Sequence, residues 1–467
     1  MKPINKDILK LALPSILANI TVPIVGMADI AVAGHLDATA IYQTATLISG
    51  IAIGSMLFDL LYWNFFFLRI GTGGLTAQAY GRNDMRECGK IFSRAVGLAL
   101  LISIVIISLQ WLCVKAAFLV VDCTPEVQEL ASQYFFVRIW AAPATLSLIA
   151  FKGWFIGMQD SVSSMATDLV VNGMNVAASI VLALGFRFGP IEYEGMGFTG
   201  IAAGTVLAQY SGLLCAVLII VFRYRRKVFS GYSVADLAGA FRGGEMRRFF
   251  SLNSDIFVRS VCFIGIYMGF TALAAHYGDL LLACATILMK LLMIFSYFTD
   301  GFAYAGEALT GKYIGRNDRK GVSEAVRYTF YWSIGIGVLF MGIYAVAGVP
   351  MLRMMTSDPA VIEASVQFLP WLLLMPVVGC AAFAWDGIFI GATEAKSIRN
   401  AMLLATAGFL GTYFLGVEIL KMSPLAGTEH YGPAGIHILL GAYFVHLLAR
   451  TIYLSARYRS NVLTRVD

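Results

Sequence analysis

Apolar residues run through this chain in long stretches broken by short polar segments, and the length of those stretches sets the first expectation. A bilayer-spanning helix needs about 20 largely apolar residues. Twelve stretches qualify: 8–34, 40–80, 90–120, 127–157, 163–185, 195–222, 245–275, 280–313, 322–350, 362–392, 397–422 and 432–457. They predict an all-α integral membrane protein. Composition agrees, with 59% of the 467 residues hydrophobic and only 13% charged, about half the charge of an ordinary globular domain. Little remains for a soluble domain, and none resembling a cytoplasmic ATPase is expected.

The net charge of +6 gives orientation. With twelve crossings both termini share a side, and 25 of the 34 Lys and Arg residues fall in the segments on that side. Only Lys115, Arg187, Arg353 and Lys421 fall opposite. Under the positive-inside rule both termini are cytoplasmic. This accounts for the basic balance without nucleic acid. The first stretch is too long for a signal-peptide h-region and contains Pro14 and Pro23. Seven cysteines without a CxxC pair read as small packing residues, not as a disulfide framework.

Self-comparison finds a repeat. LTAQAYGRND (75–84) aligns with LTGKYIGRND (309–318), and KGWFIGMQD (152–160) with DGIFIGATE (386–394), both at an offset of 234 residues. Pro125 and Pro359 pair at the same offset. The chain therefore reads as an N-lobe (1–222), a Gly-rich cytoplasmic linker beginning RYRRK (223–244), and a C-lobe (245–467). An even number of crossings per lobe gives both lobes the same orientation, hence a pseudo-twofold axis along the membrane normal, a substrate path between the lobes, and alternating access.

Ionisable residues inside spans are functional candidates by default. The N-lobe holds Asp29, Asp59, Arg69, Arg138, Lys152 and Asp168; the C-lobe holds Asp255, Arg259, Lys290, Asp300, Glu307, Asp386 and Glu418. Internal ion pairs or snorkelling explain many of these equally well. Asp255 and Arg259, four apart on one helix, read as a structural pair, and Glu418 as interfacial. Asp29 lies six residues after Pro23, a helix hinge that lacks a backbone hydrogen bond. A carboxylate there suits binding of a coupling proton or sodium ion; pairing with Lys152 or Arg69 is the structural alternative. Asp168, Asn172 and Asn175 form one polar stripe at i, i+4, i+7 spacing. Asp300 and Glu307 share a face around Tyr304, with Lys290 as a neutralising candidate. Lys152 and Asp386 are repeat equivalents of opposite charge, which suggests an inter-lobe latch.

The stretches LALPSILANITVP and ADIAVAGHLD (11–37), FLRIGTGGLTAQAYG (67–81), DGFAYAGEALTGKYIG (300–315) and DGIFIGATEAKSIRN (386–400) resemble the MATE (multidrug and toxic compound extrusion) family, in its DNA-damage-inducible F branch. The resemblance implies a two-lobe, twelve-helix multidrug antiporter. It would expel small organic, often cationic, compounds in exchange for protons or sodium, without another cofactor, as a monomer in the bacterial inner membrane. It matches Asp29, Asn172 and Asn175 to an N-lobe cation site, with sodium a possible occupant, and Asp300, Glu307 and Asp386 to acidic positions of the C-lobe. Ser179 stands where relatives carry a second aspartate, and Lys152 where they carry an apolar residue. Both changes leave the coupling ion open.

Three rivals remain. A flippase for lipid-linked saccharides, of the same superfamily, would need a cationic cleft. A major-facilitator carrier also has two six-helix halves, but DGIFIGAT does not belong there. An enzyme would need a catalytic constellation, and HExxH, GxSxG and a Gly-rich phosphate loop are all missing from the sequence.

Overall fold

A computed structural model describes residues 3–36, 43–119, 121, 123–188, 191–241, 243–425 and 427–466. Among them, twelve helical segments are long and apolar enough to cross a membrane. Asp37, the last residue of the ADIAVAGHLD stretch, lies outside the described residues.

The first half runs α1 (Pro3–Gly34), α2 (Thr44–Trp63), α3 (Phe67–Gly81), α4 (Met85–Ser108), α5 (Gln110–Phe118), α6 (Pro125–Arg138), α7 (Ala142–Gly157), α8 (Ser161–Leu184) and α9 (Phe198–Ile219). Short α10 (Val234–Ala240) follows, then α11 (Gly244–Ala275), α12 (Asp279–Gly315), α13 (Arg319–Met355), α14 (Pro359–Val366), α15 (Leu369–Gly391), α16 (Ala395–Lys421) and α17 (Tyr431–Asn461). One small departure from an all-helical chain is a hairpin between α8 and α9, where Phe186–Phe188 pairs antiparallel with Ile191–Tyr193.

The chain divides into two compact units, Leu17–Phe249 and Phe250–Asp467 together with Met1–Ile16. The first sixteen residues belong with the C-terminal unit. The reason is local packing. Gly301 on α12 has no side chain, and a Cβ there would sit 2.8 Å from the Ala12 carbonyl oxygen; Trp332 Nε1 also donates to Asn5 Oδ1 at 3.1 Å. Nor is the linker a loose strap. Ser233 and Asp236 form a reciprocal capping box that starts α10, and these bonds hold the Asp236 carboxyl below the usual carboxylate range. Arg94 Nε donates to the Ala240 carbonyl at 2.6 Å, and Ser93 and Tyr232 bond at 3.1 Å, so the strap is docked on α4.

The repeat is visible in backbone detail. Four helices end in a residue with left-handed backbone: Asn83 (φ 59°), Gln159 (62°), Asn317 (55°) and Thr393 (57°). The next residues are Asp84, Asp160, Asp318 and Glu394, whose N–H groups return to carbonyls five residues back. This is the Schellman closure. Asp84, Asp160 and Asp318 then accept from the N–H three residues on, opening the following helix. The 81–84 and 315–318 repeats of Gly-Arg-Asn-Asp are therefore helix-stop, helix-start signals. Close packing repeats as well: a Cβ on Gly153 would strike the Arg69 carbonyl oxygen, and one on Gly387 the Ala303 carbonyl oxygen, both pairs related by the same offset.

A β-branched side chain in left-handed backbone costs roughly 1–2 kcal/mol, and Asn tolerates that conformation far better. Thr393→Asn is accordingly expected to stabilise the protein by about 1 kcal/mol in thermal unfolding. A lower midpoint would show that contacts of the threonine side chain outweigh its backbone strain.

Candidate functional site

In the N-terminal unit three helices converge on Asp29. Its residue is 5% exposed, and the Ser179 hydroxyl of α8 donates to Oδ1 at 3.1 Å. One turn earlier on α8, Asn175 Nδ2 donates to Thr205 Oγ1 of α9 at 3.0 Å. The Asn175 carbonyl oxygen is buried and has no hydrogen-bond donor. The helices come this close because α9 carries Gly204, where a Cβ would lie 2.6 Å from the Ser179 nitrogen. Asn172 reaches the other way, donating to Thr21 Oγ1 at 2.5 Å on α1, two residues before Pro23. Helix α1 continues through Pro23 without interruption.

A carboxylate, two hydroxyls and a vacant amide oxygen make a set of hard oxygen donors. Such a set fits a proton or a sodium ion better than a softer metal. Among the described residues no cluster of three His, Cys, Asp or Glu side chains could hold a metal ion. Arg138 supplies the opposing charge that acts on Asp29, while its own guanidinium donates to Tyr134 Oη at 2.9 Å and stacks 4.7 Å over the Phe58 ring.

The remaining predicted residues separate. Asp168 accepts from Lys152 Nζ at 2.8 Å, so the predicted stripe splits among three neighbours. This also corrects the pairing of Asp29 with Lys152 or Arg69, because the bond made by Asp29 is to Ser179. In the C-terminal unit Asp386 Oδ2 accepts from Arg259 and from Arg450, each at 2.5 Å. Lys152 and Asp386 thus each bind opposite charges of their own unit. The expected Asp255–Arg259 pair is likewise replaced: Asp255 binds Arg399 of α16 at 2.5 Å, and Arg259 binds Asp386 of α15. Four-residue spacing puts both on one face of α11, but opposite charges on packed neighbouring helices compete for them. Glu307 is buried and Asp300 half-buried. Lys290 is exposed and lies roughly 15 and 25 Å along α12 from them at 1.5 Å per residue, too far to neutralise either. Glu418 is exposed, lies three residues before the end of α16 and pairs with Lys421.

Sequence reasoning missed Thr205 and Arg450. Thr205 leaves no charge to notice. Arg450 lies well inside the last apolar stretch and is 2% exposed.

The comparisons with known proteins fit this arrangement. The family described as MatE matches residues 14–181 and again 256–412, once in each half. The chain is 34% identical over 407 residues to the DNA damage-inducible protein F of Escherichia coli, covering 87% of this chain and 84% of that one. It is 24% identical over 467 residues to a probable multidrug resistance protein NorM of Photorhabdus laumondii, covering 98% and 96%. Among solved structures, MATE in the bent conformation superposes with a TM-score of 0.83 at 15% identity, covering 99% of this chain and 97% of that one. An outward-facing multidrug resistance MATE family transporter of the MOP superfamily gives 0.81 at 16%, covering 98% and 96%. The fold, the doubled match and the identity to characterised members lead to one conclusion: this multi-pass membrane chain belongs to the MATE family of transporters.

Proposed function

We propose that the chain exports organic, often cationic, compounds in exchange for protons or sodium ions by alternating access, and that Asp29 takes up the coupling ion. One contrast among the acids inside the spans carries this reading. Asp168 and Asp386 are held by cations of their own unit, whereas Asp29 forms no ion pair among the described residues and accepts from a hydroxyl. A desolvated carboxylate without a bound counter-charge is where a mobile cation is most strongly stabilised. The orphan oxygen of Asn175 adds a second ligand one helical turn from Ser179. Ion uptake changes the charge on a helix that already lacks one backbone bond at Pro23, which gives the cycle a bendable element.

In this reading the protein works as a monomer in the bacterial inner membrane with both termini cytoplasmic, which the asymmetry of Lys and Arg supports. A flippase for lipid-linked saccharides is the alternative. It would need open cationic groups for a pyrophosphate, and Lys152 and Arg259 are already committed to carboxylates. The test is efflux of a fluorescent organic cation from proteoliposomes under an imposed proton or sodium gradient. The gradient that drives efflux identifies the ion; no movement under either would overturn the export reading.

A further inference from the structure

The ends of α8 and α9 nearest the linker carry a feature that the export cycle does not use. The two helices pack tightly at their far ends, where α9 presents Gly200 and Gly204, and again at Gly212, whose missing side chain leaves room for Val171. Past Gly212 the glycines of α9 stop. An open groove of about 640 Å³ follows, lined by Val162 and Ala166 of α8 and by Leu214, Leu218 and Phe222, with Arg223 at its mouth. Its walls face outward: Leu214 is 60% and Phe222 83% exposed.

At the mouth the helix changes register. Ile220–Tyr224 forms a π turn, closed by the Arg225 N–H on the Ile220 carbonyl at 2.9 Å. The extra residue turns Tyr224 inward, where its hydroxyl donates to Asp160 at 2.6 Å, and leaves Arg223, Arg225, Arg226 and Lys227 outside. Arg223 touches Asp160 at 3.1 Å and Ser163 Oγ at 3.3 Å through one nitrogen, and its side chain remains 59% exposed. Its other donors are open to a ligand. Val228 is buried beside Tyr224 and anchors the basic run against the N-terminal unit.

An apolar groove of lipid-facing side chains that ends in four exposed cations has the polarity of a phospholipid. We propose that this is a binding site for an anionic glycerophospholipid: an acyl chain lies along Val162, Ala166, Leu214 and Leu218, and the headgroup phosphate sits among Arg223, Arg225, Arg226 and Lys227. Clusters of basic residues at the end of a membrane helix attract anionic lipid generally. The groove is what turns that attraction into a site. A zwitterionic lipid offers the same chain but cancels the headgroup charge, and a free phosphate offers the charge without the chain, so the three are separable.

The purified full chain in detergent would be titrated with phosphatidylglycerol or phosphatidylcholine of identical chains, with bound lipid counted by native mass spectrometry. Phosphatidylglycerol is expected to bind at least about tenfold more tightly. The triple variant Arg225→Gln, Arg226→Gln, Lys227→Gln should reduce it to the phosphatidylcholine level, and Ala166→Trp, which fills the groove, should weaken both lipids. Arg353→Gln, on the opposite side of the membrane, should change nothing. Equal binding of the two lipids by the wild type, or unaltered preference in the triple variant, would overturn the proposal. Displacement of phosphatidylglycerol by glycerol phosphate at similar concentration would also overturn it, leaving only an anion site. The substituted arginines and lysine are exposed, so the triple variant should keep the wild-type unfolding midpoint.

Discussion

Asp29→Asn is expected to abolish gradient-driven efflux from proteoliposomes while the protein remains folded. The substitution keeps size and shape, and the amide oxygen still accepts the Ser179 hydroxyl that bonds Oδ1 at 3.1 Å. What it removes is the charge. No protein cation is ion-paired to Asp29 among the described residues; Arg138, whose charge acts on it, keeps its hydrogen bond to Tyr134 and its stacking on Phe58, so the amide does not leave that guanidinium without partners. A structural carboxylate would tolerate this change with efflux intact, and wild-type efflux by the variant would end its assignment to the coupling path. Ser179→Ala separates the hydroxyl from the charge. It removes one hydrogen bond, worth about 0.5–1.5 kcal/mol, and should slow efflux without stopping it. Loss of all efflux in Ser179→Ala would instead make the hydroxyl an obligatory ligand.

Much of this architecture could be read from the sequence because it is written in local signals. Run length gave the spans, and the recurrence of Gly-Arg-Asn-Asp at one offset gave two halves. The structure explains the recurrence: asparagine takes left-handed backbone readily, and aspartate caps the next helix. A local signal at 233–236, a serine with an acid three residues on, would also have revealed α10. Partner choice was far less legible. Helical periodicity assigns a side chain to a face, but not to the neighbour that the face meets. Asp255 and Arg259 share a face and still bind different helices, and the partner of Arg450 lies 64 residues away. The docking of residues 1–16 depends on a missing side chain at Gly301, which no pattern in the first helix announces.

The same lack of legibility hides the position where a single substitution should damage the fold most. Asp386 is 5% exposed and receives two guanidinium groups on one oxygen, from α11 and α17, while α15 carries the carboxylate itself. Three helices of the C-terminal unit are joined at one buried atom. Asp386→Asn keeps an acceptor oxygen but removes the charge, leaving Arg259 and Arg450 facing each other across a neutral amide. Breaking a buried ion pair by removing one partner costs about 3–5 kcal/mol, since the stranded charge has lost its compensation. For a unit of this size that corresponds to a fall of roughly 6–20 °C in the unfolding midpoint. The second cation offers a rescue. Arg450 is 2% exposed, whereas the Arg259 side chain is 17% exposed and better able to reach a polar environment. Adding Arg450→Met to Asp386→Asn should therefore recover part of the loss, with a double-mutant coupling of at least about 1 kcal/mol. If Asp386→Asn unfolds like the wild type, or if the two substitutions simply add, the carboxylate does not hold these helices together, and Asp386 returns to the list of acids available to a transported cation.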